Sequence, residues 1–348
     1  MTPPLRGAGL TLLFFLGLGM GSAILHAIAA PGGGRISGVK TAWYQENANQ
    51  YDTVAIGTSR TYRSFIPDLF DREMAKHGKP TTSFNLGVPG ATWLEIHFLS
   101  REILKAGNPH LKRLLIEYRA FYPAIIEKNI FKGRTVYWHD WPATTLAVQG
   151  IQNNLELARN PYRDSFVHLQ HFLCWTLNIG QAYEIGDGLL GLRTNQSARA
   201  GASNGWIPLE ADDANLAARR QLFLDHIDDF REDVRHMVED EVYSREDVEA
   251  WHDLEIARSI IDAAEEADVE IVFVQMPGQG RDKPFEKRVA DDLGKAVLLY
   301  NDPEKYPAFY DEEFRWDVGH LSESGSTIFT EILAEDVAAV LEKRSADE

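Results

Sequence analysis

Two rhythms of apolar and polar positions alternate along the chain. Short strand-like runs recur at residues 53–57 (TVAIG), 82–87 (TSFNLG), 113–118 (RLLIEY), 269–278 (VEIVFVQMPG) and 296–302 (AVLLYND). Runs of this length predict strands, and the third, purely apolar from Leu114 to Ile116, predicts one covered on both faces. Between them lie segments whose apolar residues return every three or four positions, such as IPDLFDREMAKHG, TWLEIHFLSREILKAG and the closing ESGSTIFTEILAEDVAAVLEKR. This spacing predicts helices with one buried stripe. A strand–helix alternation of this kind predicts an α/β fold with an open, mostly parallel sheet between helical layers.

Two regions break the rhythm. Residues 123–245 begin rich in aromatic side chains (FYPAIIEKNIFKGRTVYWHDWP) and continue as a mainly helical pattern. They read as an insertion between the third and fourth strands. At the other extreme, the N-terminal stretch carries Arg6 and then no Lys, Arg, Asp or Glu until Arg35. Its apolar run over 10–28 approaches the ~20 residues that a membrane-spanning helix needs. An uncleaved anchor over 1–30 is the favoured reading, and a cleaved signal peptide is the rival, because Ala27-Ile28-Ala29 has the small-residue pattern of a cleavage site. Both readings export the rest of the chain. PGGG at 31–34 opens an expected linker over 31–50, which leaves 51–348 as the α/β domain.

Composition narrows the function. The 348 residues hold 52 acidic and 35 basic side chains, a net charge of −17. That balance argues against a nucleic-acid partner, which requires clustered Lys and Arg. Much of the acid lies in 210–268 at helical spacing and describes a solvated helix face. The single cysteine, Cys174, has no partner for an internal disulfide, and its apolar neighbours predict an inert, buried thiol. There is no H-E-x-x-H, no paired Cys and no acidic metal loop, so neither a metal nor a cofactor is expected.

Candidate chemistry gathers where strands end. In an open α/β sheet, ligands bind beyond the carboxyl ends of the strands. Ser59 follows the first strand, the segment from Asn85 to Gly90 follows the second, and Arg119 follows the third. The turn GTSRTYRS matches neither a P-loop nor the G-x-S-x-G elbow. Far downstream, FRWDVGHLSESGSTIF places Asp317 three residues before His320. At a separation of one helical turn the carboxylate reaches the imidazole Nδ1–H, which leaves Nε2 free to accept a proton from a hydroxyl. Ser322 or Ser324 is suited to cap the final helix, with His320 at its entry.

AIGTSR, FNLGVPGAT and DVGHLS, in that order, resemble the motif blocks of the SGNH/GDSL hydrolase superfamily, over roughly 50–125 and 268–343. Gly-Thr-Ser-Arg replaces Gly-Asp-Ser-Leu, a departure that also looks like membrane-linked envelope members. The resemblance implies a three-layer α/β/α sandwich with a flavodoxin-like sheet. It implies Ser59 as nucleophile, His320 as general base and then acid, and Asp317 as its orienting partner. Backbone N–H groups of Ser59 and Gly90 would form the oxyanion hole. The implied substrate is a small-molecule or carbohydrate ester, and the implied reaction proceeds through an acyl-serine, with water as acceptor in an esterase or a sugar hydroxyl in an O-acyltransferase. A third possibility is a non-catalytic envelope protein that keeps the fold. It draws on one departure, since the family's G-x-N-D block is replaced by IEYRAFYP.

Several residues keep two readings. Asn85 either contacts substrate or braces its loop. Arg60 and Arg63 are either selectors of an anionic substrate or exposed arginines at a helix entry. Arg119 either replaces the missing Asn donor or pairs with Glu117 or an acidic loop. YWHDWP at 137–142 is either a sugar-stacking surface or packing.

Overall fold

The computed structural model describes residues 3–28, 36–153, 155, 158, 160–181, 186, 201, 203–211, 214–239, 249–278 and 293–347. In chain order the larger elements are α1 (Pro3–Ile28), α2 (Ser37–Asn47), β1 (Thr53–Gly57), α3 (Ser59–Ser64), α4 (Pro67–Lys76), β2 (Ser83–Gly87), α5 (Trp93–Lys105) and β3 (Arg113–Glu117). Then come α6 (Gly133–Tyr137), α7 (Trp141–Asn153), α8 (Pro161–Thr176), α9 (Ala214–Asp225), α10 (Ile227–Glu239) and α11 (Glu249–Glu266). The chain closes with β4 (Glu270–Gln275), β5 (Ala296–Leu299), β6 (Arg315–Asp317), β7 (His320–Leu321) and α12 (Glu323–Asp347).

The chain divides into two compact units, Met1–Ala42 with Tyr122–Ser197, and Trp43–Phe121 with Ala198–Glu348. The second holds a five-stranded sheet in the order β2-β1-β3-β4-β5, every pair parallel. All five strand-like runs of the sequence are its strands. Every residue of β1, β2 and β3 is buried, so both faces of the sheet are covered there, and the polar residues among them, such as Asn85 and Glu117, are hydrogen-bonded. α4 packs with α12, and α5 packs with α11. The main core joins Phe65, Phe70 and Met74 to Leu115, Val272, Tyr300, Phe309, Phe329 and Leu333.

The order places β1 between β2 and β3. Chain connections leave β1 toward β2 on one side and then return to β3 on the other, so the carboxyl end of β1 is a switch point where a crevice forms. Ser59 stands at that end.

In the first unit, α7 packs on α8, and α6 packs on α8. α1 contains one stretch, Gly7–His26, that is long and apolar enough to cross a membrane, a property that signal sequences share. The expected linker over 31–50 needs correction. Residues 31–35 lie outside the described residues, and α2 then runs from Ser37 to Asn47. Within α2, Tyr44 is fully buried, stacks with Tyr51 and meets the Phe84 ring at a tilt. Ala29 of the possible cleavage site and much of 182–200 and 240–248, part of the expected insertion, also lie outside the described residues.

Candidate active site

The site is built around the Gly57-Thr58-Ser59-Arg60 turn. β1 ends at Gly57 because a side chain does not fit there. A Cβ on Gly57 would lie 2.0 Å from Thr61 Oγ1 and 2.5 Å from Glu117 Oε2. Thr58 then caps α3, its Oγ1 accepting from the Arg60 N–H at 3.2 Å. Ser59 is the first residue of the helix and is half-buried.

Beneath this turn lies Glu117, the last residue of β3, and it is buried. Its carboxylate accepts from Thr58 N at 2.6 Å, Thr58 Oγ1 at 2.8 Å, Thr61 Oγ1 at 2.7 Å and Thr61 N at 3.4 Å. Arg60 Nε stands 3.4 Å away on the same carboxylate. One buried anion thus organises both threonines and the arginine that flank Ser59. An unpaired buried carboxylate would be strongly unfavourable, but here its oxygens are saturated by hydrogen bonds and a cation.

Asp317 and His320 come from a β-ribbon. The expected one-turn helical spacing is corrected by the structure: Asp317 on β6 and His320 on β7 are register partners of an antiparallel pair, joined through Val318 and Gly319. Residues directly opposite across a ribbon bring their side chains together much as a helical turn does. His320 Nδ1 donates to Asp317 Oδ1 at 2.8 Å, and the Gly319 N–H donates to the same oxygen at 2.8 Å. With Nδ1–H committed to a carboxylate, Nε2 is the acceptor, and it receives the Ser59 hydroxyl at 2.8 Å. Burial pushes the Asp317 carboxyl upward. The His320 hydrogen bond and charge, the Gly319 N–H and the Arg315 guanidinium outweigh that push and hold it below the usual aspartate value.

Arg315 is the hidden support of the ribbon. It is fully buried and donates to the carbonyls of Phe309 at 2.8 Å, Asp317 at 3.1 Å and Val318 at 2.5 Å. Burial lowers its guanidinium to about 10, against the raising influence of Tyr310 and Asp317. Arg220 on α9 ties the same segment down from outside, donating to Arg315 O at 2.7 Å and Glu312 O at 3.0 Å. On the far side, Ser322 Oγ accepts from Gly325 N at 3.2 Å and caps α12, as the sequence predicts.

The glycine loop leaves the sheet at this same edge. Val88 N donates to Gly57 O at 2.8 Å, and Ala91 N closes a turn on Val88 O at 3.1 Å. Gly90, third in that turn after Pro89, has φ +69°, which suits glycine and is the arrangement of a type II turn. It is exposed, with open space where a Cβ would project. Among the described residues no acceptor takes the N–H of Ser59 or of Gly90.

The remaining candidates separate. Asn85 is a brace: it is fully buried, its Nδ2 donates to Thr61 O at 2.8 Å and Phe65 O at 2.7 Å, and its Oδ1 accepts from Gly87 N at 2.8 Å. Arg63 is not an exposed helix-entry residue. It is buried, and its guanidinium donates to Ile207 O at 3.0 Å. Arg60 is likewise drawn inward onto Glu117, and burial lowers its guanidinium, with Arg119 as a neighbouring like charge. Arg119 itself is half-buried and has no carboxylate partner among the described residues. Glu117 therefore pairs with Arg60, not with Arg119. In YWHDWP, Trp138 is buried and stacks on His139 with ring centres 3.9 Å apart, whereas Trp141 is exposed. Cys174 is half-exposed.

Glu117, Thr61 and Arg315 escape the sequence reading. A signal for Glu117 exists, since it is the one charged residue closing an otherwise apolar strand end. Arg315, two residues before Asp317, carries no comparable mark. Among the described residues no group of three or more His, Cys, Asp or Glu side chains is arranged to hold a metal ion. No protein-family model matches the chain, and neither does any curated protein.

Proposed function

We propose that this chain is a serine acyl-ester hydrolase of SGNH type, with Ser59, His320 and Asp317 as its catalytic residues. The observation that carries the reading is the continuous relay from Asp317 Oδ1 through His320 to Ser59 Oγ, with both links at 2.8 Å. Three side chains from the two ends of the chain meet in the tautomer and order that nucleophilic catalysis needs. In the reaction, His320 Nε2 takes the Ser59 proton as Oγ attacks the ester carbonyl. The tetrahedral oxyanion collapses, and His320 returns the proton to the departing alcohol. Water, activated by the same imidazole, then releases the acid from the acyl-serine.

The Ser59 and Gly90 N–H groups are the proposed oxyanion donors, each worth roughly 3–4 kcal/mol in the transition state. IEYRAFYP offers no Asn donor of the G-x-N-D kind, and Arg119 is the proposed supplementary cation. The proposed fold is the three-layer α/β/α sandwich, with 123–245 inserted between β3 and β4. The proposed location is membrane-anchored through α1 with the sheet unit exported. The proposed substrate is an acetylated carbohydrate or another small ester of the envelope.

The test is labelling by a fluorophosphonate probe together with hydrolysis of aryl acetates by wild type and Ser59→Ala. Wild type is expected to label and turn over, and the variant to lose about 10⁴-fold or more in kcat. Equal, residual hydrolysis and equal lack of labelling would overturn the enzyme reading and leave a binding module. Wild-type turnover that rises only when a sugar acceptor is added, with acyl-sugar as product, would make it an O-acyltransferase.

A further inference from the structure

α8 is amphipathic in the reverse of the usual sense. Its buried positions hold Asp164, Ser165, His168 and His171. Its exposed face holds Tyr162 (85% exposed), Phe166 (59%), Leu169 (45%) and Leu173 (54%), at helical spacings of four, three and four. In water a helix hides its apolar stripe and shows its polar one. Here the polar side chains are turned inward and satisfy one another. His139 Nε2 and His168 Nδ1 are 2.9 Å apart, His168 Nε2 donates to Pro123 O at 3.0 Å, and Gln152 Nε2 donates to Ser165 Oγ at 3.1 Å. Polar groups packed inside and apolar groups facing out are the arrangement that a hydrocarbon solvent selects.

Three further observations point the same way. Residues 141–153 contain no Lys, Arg, Asp or Glu, nor do residues 165–181. α8 packs on α7, whose buried positions are the small residues Ala143, Thr144, Ala147 and Gly150 together with Ile151, and small residues let helices approach closely without a hydrophobic driving force. Most directly, α8 is joined to the membrane-length helix α1. The Ser22 hydroxyl donates to Thr176 O, Asn178 Nδ2 donates to Ser22 O at 3.1 Å, and His26 Nε2 donates to Trp175 O at 3.0 Å with the two rings 4.8 Å apart. Ser22 and His26 lie at the C-terminal end of the Gly7–His26 stretch. The C-terminal end of α8 is therefore fastened to the membrane-length helix.

We infer that the α7–α8 hairpin is itself seated in the lipid bilayer, beside α1, as a non-spanning element whose exposed face contacts acyl chains. At 1.5 Å per residue α8 is about 24 Å long, short of the ~30 Å hydrocarbon core, so it lies partly inserted and does not cross. Trp175, against His26, and exposed Trp141 suit the interfacial level, where indoles concentrate. The inference rests on reading α1 as a membrane helix and assigns a second membrane contact to the folded chain.

The test uses the full chain with Cys174→Ser, reconstituted in phosphatidylcholine–phosphatidylglycerol vesicles. Nitroxides are attached singly through Phe166→Cys, Leu169→Cys, Phe14→Cys on α1, and Leu222→Cys, an exposed position on α9 that serves as the aqueous reference. Collision with oxygen is compared with collision with a water-soluble nickel chelate. The oxygen-to-nickel ratio at 166 and 169 is expected to be several-fold above that at 222 and close to that at 14. A lipid-like ratio at 14 with water-like ratios at 166 and 169 would overturn the inference and leave the α1 anchor standing. Water-like ratios at all three would overturn both. Low accessibility to both reagents at 166 and 169 would overturn it in favour of a second copy of the chain covering the stripe. Lipid-like ratios at 166 and 169 with an aqueous 14 would overturn the inference as stated, because the hairpin would then not lie beside a membrane-seated α1.

Discussion

Asp317 and Glu117 are carboxylates of the same site with different work. Asp317 accepts the His320 Nδ1–H and so holds the tautomer that leaves Nε2 open to Ser59. Asp317→Asn can present its amide to Nδ1 and reverse that tautomer. The proposed esterase is expected to lose about 10⁴-fold in kcat with KM little changed, measured on an aryl acetate. The same carboxyl is held below the ordinary aspartate value, so it stabilises the fold above about pH 4 and that contribution disappears as pH falls through the folded value. The Glu117 carboxylate hydrogen-bonds Thr58 and Thr61 on either side of Ser59 and acts through the turn. Glu117→Ala would leave Arg60 buried beside no anion and strip partners from Thr58 and Thr61. A loss of about 3–5 kcal/mol in urea denaturation is expected, the range for breaking a buried charge pair. A double-mutant cycle with Arg60→Ala would show strong coupling if the pair acts as one unit.

At the scale of elements, two positioning devices bring Ser59 and His320 together. One is the close fit of α3 on β2. Gly87 permits it, because a Cβ there would lie 2.2 Å from the Tyr62 nitrogen and 2.6 Å from its Cα. Gly87→Ala is expected to push α3 off the sheet and to reduce kcat more than the loss of global stability explains. Fluorophosphonate labelling rate compared with the urea midpoint separates the two effects. The other device is the β6–β7 ribbon, pinned from within by Arg315 and from outside by Arg220. Because Arg220 belongs to α9, part of the segment between β3 and β4 buttresses the residues proposed to do the chemistry.

For the whole molecule, buried ionisable groups set the acid behaviour. Burial pushes His97 down to about 3, with Arg101 and Lys105 adding to the effect. Its unfolded value is about 6.5, so the unfolded chain binds the extra proton and stability falls as pH drops below that value. Asp71 runs the other way: burial pushes it up to about 6, against the hydrogen bonds from Ser83. Its folded form holds a proton that the unfolded chain has released, so stability is lost as pH rises from about 4 to about 6. The two partly cancel across that window. Asp71→Asn removes only the second, and its stability relative to wild type is expected to grow from pH 4 to pH 6 and then level off, as read by urea denaturation across pH. A constant difference across that range would contradict a raised Asp71.

What the sequence determined by itself was the sheet and the identity of the relay. Five strand-like runs became five parallel strands, most plainly at β3, whose apolar centre from Leu114 to Ile116 matches its burial on both faces. Ser59, Asp317 and His320 were legible as one group from their residue types and from the D-x-x-H spacing, and the structure hydrogen-bonds them in a row. The D-x-x-H spacing identified the pair but not its scaffold, since a helical turn and a two-residue ribbon place side chains at similar separation. Tertiary structure decided the rest. The Glu117–Thr58 and Asn85–Phe65 hydrogen bonds join residues 59 and 20 positions apart along the chain, and no local pattern encodes such contacts. Arg60 shows the difference best: beside the serine in sequence it looked like a surface or substrate-facing charge, and only the arrival of β3 turned it inward onto a buried carboxylate.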